Sequence, residues 1–262
     1  MKITIFTANQ LRHNFFVNLL SEISDEIYVV QENRTVFPGK VSGYYNVSKF
    51  ADNYFSKVIN AEKKIFGDSF LNFNKKKIKI LPLSFGDLNK YNLEDLKHFL
   101  KSDIYIVFGS SYIKGKLVNF LIKKKAINIH MGVSPYYRGT DCNFWALYDG
   151  NSHLVGATIQ YLSKGLDNGD ILYHALSSKG SDPFLYSMLS VKSAFYSLIK
   201  RIKNKSIFKL KCIKNNNLNE IRYSRKNEFN DKVIKNFFKK KIKINKNFDL
   251  SLLKDPFFLN KN

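Results

Sequence analysis

Short apolar runs alternate with longer segments of mixed polarity through the first half of the chain. The apolar runs predict buried strands at residues 2–6, 27–30, 77–81, 104–108 and 126–129, and we expect Pro82 to end the third of them. Helical spacing or helix-start signals between them predict helices at residues 11–22, 47–66, 92–100 and 114–123. Continuous apolar strands alternating with helices are typical of a mostly parallel sheet with helices on both faces, so we predict an α/β fold.

The pattern changes after residue 130. It predicts a loop at 131–139, a helix at 142–148, a strand at 155–162, a tight loop at 163–169 and a strand at 171–176. A long amphipathic helix follows at 183–203, then weak strand signals at 207–213 and a helix at 231–241. We therefore expect a core domain at residues 1–182, and a small mixed extension at 183–262 made of the long helix and a basic segment.

Charge is distributed unevenly along the 262 residues. The net charge is +22, and residues 191–262 hold 20 Lys or Arg against 5 Asp or Glu, which is +15 of that total. Such an excess favours anionic partners. A genome rich in A and T would also enrich Lys, Asn and Ile, so this observation leaves both explanations open.

The chain shows neither a disulfide framework nor a thiolate metal site, because Cys142 and Cys212 lie far apart. We predict no metal. The start is too short an apolar run for a signal peptide, and no apolar stretch approaches the ~20 residues of a membrane span. The expected location is cytoplasmic.

Three polar residues stand out at the predicted strand ends and in a loop. Asn128 and His130 are two apart on one strand, so their side chains share a face, and Asp167 lies in a loop flanked by glycines. Together they suit attack of an amine on an acyl carbon: Asn128 can donate to a developing oxyanion, and His130 can act as a proton donor or as a cation. Asp167 can orient His130 and accept a proton. Taken singly, each residue is also compatible with ordinary hydrogen-bonded structure or turn chemistry.

Two segments, residues 127–139 and 156–172, resemble the folate-dependent formyltransferase family, which includes glycinamide ribonucleotide, methionyl-tRNA and nucleotide-sugar formyltransferases. The family motifs run N-[IV]-H-x-S-L-L-P-x-[YFW]-R-G and G-x-T-[IV]-x-x-x-x-x-G-[LVI]-D-T-G. Asn128, His130 and Asp167 match the catalytic residues of those motifs. This chain departs from them at residues 131–134, which read Met-Gly-Val-Ser, and at Asn168, where Thr is common.

The resemblance implies a Rossmann-like fold and 10-formyltetrahydrofolate as the formyl donor. It also implies, by position, a folate pocket made of two loops after strands and the loop that carries Asp167. The residues carried over are Ser110, Ser111, Tyr112, Ile113, Gly132, Val133, Ser134, Pro135, Ser163 and Asp167.

The acceptor amine is less clearly indicated. The chain has Thr7-Ala8-Asn9-Gln10 where the purine-pathway branch has a glycine-rich phosphate loop, and the segment after the core is short for the C-terminal barrel of the tRNA branch. The resemblance is therefore greatest to enzymes that formylate a nucleotide-linked amino-deoxysugar for surface glycans such as lipopolysaccharide. Methionyl-tRNA or another small amine stays open as the acceptor, as does a non-catalytic folate-binding or nucleic-acid-binding protein of the same fold.

Candidate acceptor contacts are cations for a phosphate or sugar and aromatic rings for the pocket wall. They are Arg12, His13, Arg138, Tyr136, Tyr137 and Trp145. A loop-bracing salt bridge for Arg138 and core packing for the aromatic residues are equally open. Nucleic acid is the less favoured partner, and the weak C-terminal strand signals are compatible with a homodimer.

Overall fold

A computed structural model describes residues 1–34, 48–72, 77–177, 180, 182–216 and 219–244. Its strands are β1 (Lys2–Ala8), β2 (Glu26–Asn33), β3 (Ile78–Ser84), β4 (Ile104–Phe108), β5 (Ile127–His130), β6 (Tyr137–Gly139), β7 (Gly156–Tyr161), β8 (Ile171–Leu176) and β9 (Arg222–Ser224). Its α-helices are α1 (Leu11–Ile23), α2 (Lys49–Phe66), α3 (Gly115–Lys123), α4 (Cys142–Tyr148), α5 (Pro183–Lys203) and α6 (Asp231–Lys239). Within these residues no helix is long and apolar enough to cross a membrane.

One seven-stranded sheet forms the centre of the molecule, in the order β3-β2-β1-β4-β5-β7-β8. The first five strands of that order run parallel, and β7 and β8 are antiparallel to their neighbours. This confirms the predicted α/β, Rossmann-like class. The carboxyl ends of β1, β4 and β5 lie at the same edge of the sheet, where such folds bind their ligands.

The sheet is covered on both faces by apolar side chains. On one face α1, α2 and α5 pack over the strands, and Phe195 of α5 stacks on Phe16 of α1 with ring centroids 4.2 Å apart. On the other face Leu117 and Leu121 of α3 pack over Phe6. A third cluster, rich in aromatic residues, joins α4, α6 and part of α2 beside the sheet.

Residues before and after the expected domain boundary at residue 182 contribute to one apolar cluster. Helix α5 begins at Pro183 and is capped by Asp182, whose side chain accepts from the N–H groups of Phe184 and Leu185. The apolar face of α5 belongs to the main core. Strand β9 pairs with β6, so the chain beyond α5 also returns to the sheet domain. Residues 245–262 of the expected basic extension, and Val47 at the start of the second predicted helix, lie outside the described residues.

Two local predictions were wrong. Pro82 lies inside β3 rather than after it, because β3 is an edge strand and an outward-facing position there needs no N–H. Residues 93–100 form successive turns instead of an α-helix, although Asn92 caps them by accepting from the N–H groups of Glu94 and Asp95.

The weak signals at 207–213 correspond to a 3₁₀ helix, Ser206–Lys209, followed by a single antiparallel bridge between Ile213 and Ile171. The predicted loop at 131–139 contains the short strand β6.

Candidate active site

Strand β5 places Asn128 and His130 on one face of the sheet. Asn128 lies opposite Gln160 of β7, and His130 lies opposite Thr158. The side chain of Asn128 is half-buried and makes no hydrogen bond to a described residue. Its amide is therefore available to a ligand. The residues before and after it along β5 are apolar.

A close pair joins His130 to Asp167. His130 Nδ1 lies 3.0 Å from Asp167 Oδ1, and the two side chains are only 8% and 9% exposed. Asp167 Oδ2 accepts from the Gly139 N–H at 3.2 Å, and its main-chain carbonyl accepts from the Asn215 side chain at 2.8 Å. The structure thus brings together the three residues that the sequence predicts, and fixes Asp167 from two sides.

The pair is charged at neutral pH. Burial acts to lower the pKa of His130, but the Asp167 carboxylate outweighs it and raises that pKa well above its ordinary value. Burial likewise acts to raise the pKa of Asp167, but the His130 cation and the hydrogen bond from Gly139 bring it below its ordinary value. The site therefore holds an imidazolium against a carboxylate.

The other ring nitrogen of His130 faces the protein interior. Nε2 lies 3.4 Å from the Tyr137 carbonyl oxygen and 3.6 Å from Cys142 Sγ. A Cβ on Gly132 would lie 2.6 Å from Nε2, so only glycine leaves room for the ring here. In the sequence, this contact was indicated only by the glycine at position 132, where the family motif has Ser. No feature of the sequence indicated Cys142.

A buried carboxylate, which the sequence analysis did not identify, supports the loop after β4. Glu32 is fully buried at the end of β2 and accepts from the Ser111 N–H and hydroxyl and from the N–H groups of Gly86 and Leu88. Four donors on two loops therefore converge on one side chain. In the sequence, Glu32 could have been recognised as a charged residue at the end of an apolar strand.

The remaining residues of that loop differ in exposure. Ser110 donates to the Ser111 carbonyl, and Ile113 is buried in the core. Tyr112 is 46% exposed, and its hydroxyl donates to the Lys164 carbonyl. That contact joins the loop after β4 to the loop that carries Asp167, on the open side of the site.

Residues 131–135 form a firmly held wall. The Ser134 N–H donates to Thr158 Oγ1 at 2.8 Å, and its carbonyl contacts His174 Nε2 at 2.8 Å. The side chains of Val133 and Ser134 are fully buried, so this segment presents its main chain, with Gly132 and Pro135, to a ligand. Ser163 braces the Asp167 loop by donating to the Gly165 carbonyl and the Asn168 side chain.

The basic residues predicted to contact the amine substrate instead contact other residues of the protein. Arg12 pairs with buried Glu62 at 2.8 Å, and Arg138 pairs with Glu220 at 2.9 Å and donates to the Leu166 carbonyl. His13 is 2% exposed and stacks on Phe108. Burial, with two arginines nearby, holds the pKa of His13 well below its ordinary value, so it is no cation for a phosphate.

The predicted aromatic wall is also corrected. Tyr137 and Trp145 are 0% and 3% exposed inside the aromatic cluster, where packing excludes them from a pocket surface. Tyr136 is half-buried, and its carbonyl accepts from the N–H groups of Ile221 and Arg222. Among the described residues no cluster of three or more His, Cys, Asp or Glu is arranged to hold a metal ion.

A family model described as formyl transferase matches residues 64–177. That span contains β5, the 131–135 wall and the His130–Asp167 pair. This part of the chain is therefore similar to formyl transferases.

Curated relatives that match part of this chain include methionyl-tRNA formyltransferases. That of Desulforamulus reducens is 29% identical over 107 residues, which are 41% of this chain and 33% of the relative. That of Syntrophus aciditrophicus is 36% identical over 73 residues, 28% of this chain and 23% of the relative. The matched part thus spans a third or less of the relatives' length.

Solved structures match the fold of this chain over most of its length. A 4-N formyltransferase from Francisella tularensis has a TM-score of 0.53 and 21% identity, covering 86% of this chain and 76% of that one. A sugar N-formyltransferase from a Shewanella species has a TM-score of 0.54 and 14% identity, covering 87% and 78%. An N-formyltransferase from Helicobacter canadensis, in complex with folinic acid and dTDP-3-aminofucose, has a TM-score of 0.53 and 13% identity, covering 88% and 72%. At these identities the likeness is one of fold.

Proposed function

We propose that the protein transfers a formyl group from 10-formyltetrahydrofolate to the primary amine of a nucleotide-linked amino-deoxysugar, as a step of surface glycan biosynthesis. The observation that carries the proposal is the buried His130–Asp167 pair beside the free amide of Asn128. This arrangement supplies a hydrogen-bond donor, a fixed positive charge and a carboxylate at the end of one strand.

The described residues suit a folate donor. Gln160 Oε1 is buried opposite Asn128 without a hydrogen-bond partner among the described residues, so this strand pair offers an unused acceptor as well as an unused donor. The loop after β4 and the wall at 131–135 present main-chain polar groups beside them. Residues of these two loops and Asp167 would hold the folate, which supplies the formyl carbon when bound.

Each of the three residues has a role that its contacts favour. The Asn128 amide can donate to a formyl oxygen that gains negative charge. Because His130 has a protein partner at each ring nitrogen, the geometry favours its role as a cation near that oxygen over direct proton donation. Asp167 keeps His130 charged and offers the carboxylate that can accept a proton from the attacking amine, directly or through a water.

The aminosugar acceptor is supported by fold neighbours. Two of the solved structures described above are sugar or 4-N formyltransferases, and the Helicobacter canadensis protein holds folinic acid together with a dTDP-linked aminosugar. A second candidate acceptor, methionyl-tRNA, is favoured by the sequence relatives and by the basic composition of residues 191–262.

Formyl transfer from 10-formyltetrahydrofolate, read as tetrahydrofolate release, tests the proposal against several nucleotide-linked aminosugars, glycinamide ribonucleotide and methionyl-tRNA. We expect turnover with one aminosugar. Turnover with the tRNA alone would replace the acceptor, and no turnover with any acceptor despite folate binding would contradict the activity.

Substitution of the three site residues tests their roles in the same assay. Asn128→Ala, His130→Ala and Asp167→Ala should each lower kcat by about 10²–10⁴-fold, because each removes charge stabilisation or proton transfer. The exposed residues Asn119 and His98 provide matched controls, and their alanine variants should retain wild-type kcat. Near wild-type turnover in all three site variants would refute the assignment.

A further inference from the structure

Cys142 completes a closed set of contacts around His130. Its sulfur is 1% exposed and lies 3.6 Å from His130 Nε2 and 3.5 Å from the Gly139 carbonyl oxygen. The N–H of the same Gly139 donates to Asp167 Oδ2, and Asp167 Oδ1 contacts His130 Nδ1. The contacts therefore run from His130 to Asp167, to Gly139, to Cys142 and back to His130.

The chemistry of these groups fixes the direction of each contact. The Gly139 carbonyl can only accept, so the Cys142 thiol donates to it and turns a sulfur lone pair towards Nε2. Burial raises the pKa of Cys142, although the His130 cation opposes that change, so the group is a thiol at neutral pH. A protonated Nε2 then has two acceptors, this sulfur and the Tyr137 carbonyl.

The backbone around Cys142 is shaped for this contact. Asp141, just before α4, has a φ of 55°, in the left-handed region, and Cys142 is the first residue of α4. A Cβ on Gly132 would lie 2.6 Å from both His130 Nε2 and Cys142 Cβ, so the ring and the sulfur meet across a glycine.

We propose that Cys142 is a positioning residue that keeps the His130 ring oriented with Nδ1 towards Asp167 and with Nε2 protonated. The kinetic part of this inference rests on the proposed formyl transfer. The geometric part concerns His130 alone. The charged or titratable groups around the His130–Asp167 pair and Cys142 are Arg138 on β6, and Asp141, which precedes α4.

The direct measurement is NMR of the full-length protein with isotope-labelled histidine. In the wild type we expect a proton on His130 Nε2 near neutral pH, with a nuclear Overhauser contact to the Cys142 Hβ atoms. This measurement requires no turnover, so it is independent of the proposed reaction. A deprotonated Nε2, or a ring turned so that Nε2 faces Asp167, would overturn the inference.

Two variants separate positioning from packing. Cys142→Ala removes the acceptor, so the His130 titration should move to lower pH, the alkaline limb of the kcat profile should move with it, and kcat should fall roughly tenfold with KM unchanged. Cys142→Ser retains a hydroxyl that can take both contacts and should restore most of the loss. Cys212→Ala removes the exposed cysteine and is the matched control.

Thermal unfolding of each variant checks that it is folded. If Cys142→Ala is folded and its His130 titration and alkaline limb match those of the wild type, Cys142 is only a packing residue. If the His130 titration moves as expected but no acceptor is ever formylated, the positioning role stands and the proposed function fails.

Discussion

At the residue scale, the dominant feature is one buried ion pair whose members stabilise each other's charge. His130 and Asp167 are each about nine-tenths buried, where an unpaired charge would be costly. Asp167 also has a φ of 51°, a left-handed conformation that Asp and Asn tolerate better than most residues. Its side chain and its backbone are thus both specified by the site.

Replacing the carboxylate should reverse the direction of the His130 shift. In Asp167→Asn, burial acts without its counter-charge, so the pKa of His130 should fall below its ordinary value and the ring should be neutral at pH 7. We expect kcat to fall by about 10²–10⁴-fold. Histidine NMR titration and steady-state kinetics measure both effects, with Asp68→Asn, an exposed aspartate, as the control.

The same ion pair determines at which pH values the protein gains or loses stability. The raised pKa of His130 contributes stability that is complete below its unfolded value of about 6.5 and is lost as pH rises through the folded value. The lowered pKa of Asp167 contributes stability above about 3.9 that is lost as pH falls through the folded value. The difference in unfolding free energy between wild type and Asp167→Asn should therefore be larger at pH 6 than at strongly alkaline pH. Equal differences at both would show that the pair is not charged.

A methyl group at Gly132 should displace the His130 ring. The new Cβ would lie 2.6 Å from Nε2, and we expect Gly132→Ala to lower kcat about 10²-fold by misplacing the imidazolium. Gly150→Ala is the control: no atom lies within 4 Å of its Cβ, but its φ of 85° strains an alanine. That control should lose about 1 kcal/mol of stability and retain kcat. Steady-state kinetics and denaturant unfolding distinguish the two, and an unchanged kcat in Gly132→Ala would contradict the packing argument.

Asn128, His130 and Asp167 could be singled out from the sequence because each lies in a short segment that resembles a family motif. Cys142, Gln160 and Glu32 could not, because what marks each of them is its neighbours in the folded structure: the His130 ring, the opposite strand position at Asn128 and the N–H of Ser111. The burial of His13 and Trp145 could not be predicted either, since burial is a tertiary property that residue type does not reveal.

At the element scale, the loop after β4 depends on a residue of β2. Glu32 accepts from Ser111 on that loop and from Gly86 and Leu88 after β3. Strand positions were predicted well because apolar runs are strong signals. The 93–100 turns were not, because an Asn cap and an acidic first turn also suit a short turn structure.

Neutralising Glu32 should loosen the loop. In Glu32→Gln one carboxylate oxygen is replaced by an NH₂ group, which faces N–H donors and cannot accept from them. We expect a loss of about 1–3 kcal/mol of stability, faster exchange of the Ser111 amide proton and a higher KM for the folate. Glu26→Gln, at the opposite end of β2, where the side chain is 30% exposed and pairs with Lys2 and Lys79, is the control. Hydrogen exchange and kinetics check both, and unchanged exchange at Ser111 would contradict the role of Glu32.

At the scale of the whole molecule, α5 packs against elements from the first half of the chain. Its ring at Phe195 contacts Phe16, Phe66 and Phe108 from α1, α2 and β4. The sequence predicts a boundary before this helix because a long amphipathic helix and a basic segment follow the strands there. In the structure the apolar face of the helix packs into the core of the sheet.

Truncating that ring should destabilise the whole fold. Phe195→Ala should cost about 3–5 kcal/mol, by leaving a cavity between the sheet and two helices, in a single unfolding transition. Tyr196, the next residue, is 36% exposed, and its alanine variant should cost about 1 kcal/mol or less. Urea unfolding followed by circular dichroism measures both, and separate transitions for α5 and the sheet would show two units.

Pro82 affects whether the edge strands of two separate molecules can pair. The Phe85 N–H donates to Asn33 on β2. Because successive backbone N–H groups of a strand point to opposite sides, the Pro82 nitrogen, which carries no hydrogen, points away from β2. Lys79 lies on the same strand. A missing donor and a nearby charge interrupt the pattern that another strand would need for pairing. At the far side of the described sheet, the bridge from Ile213 to Ile171 covers part of β8. Both edges therefore resist growth of the sheet from one molecule to the next, which guards a highly apolar core against aggregation.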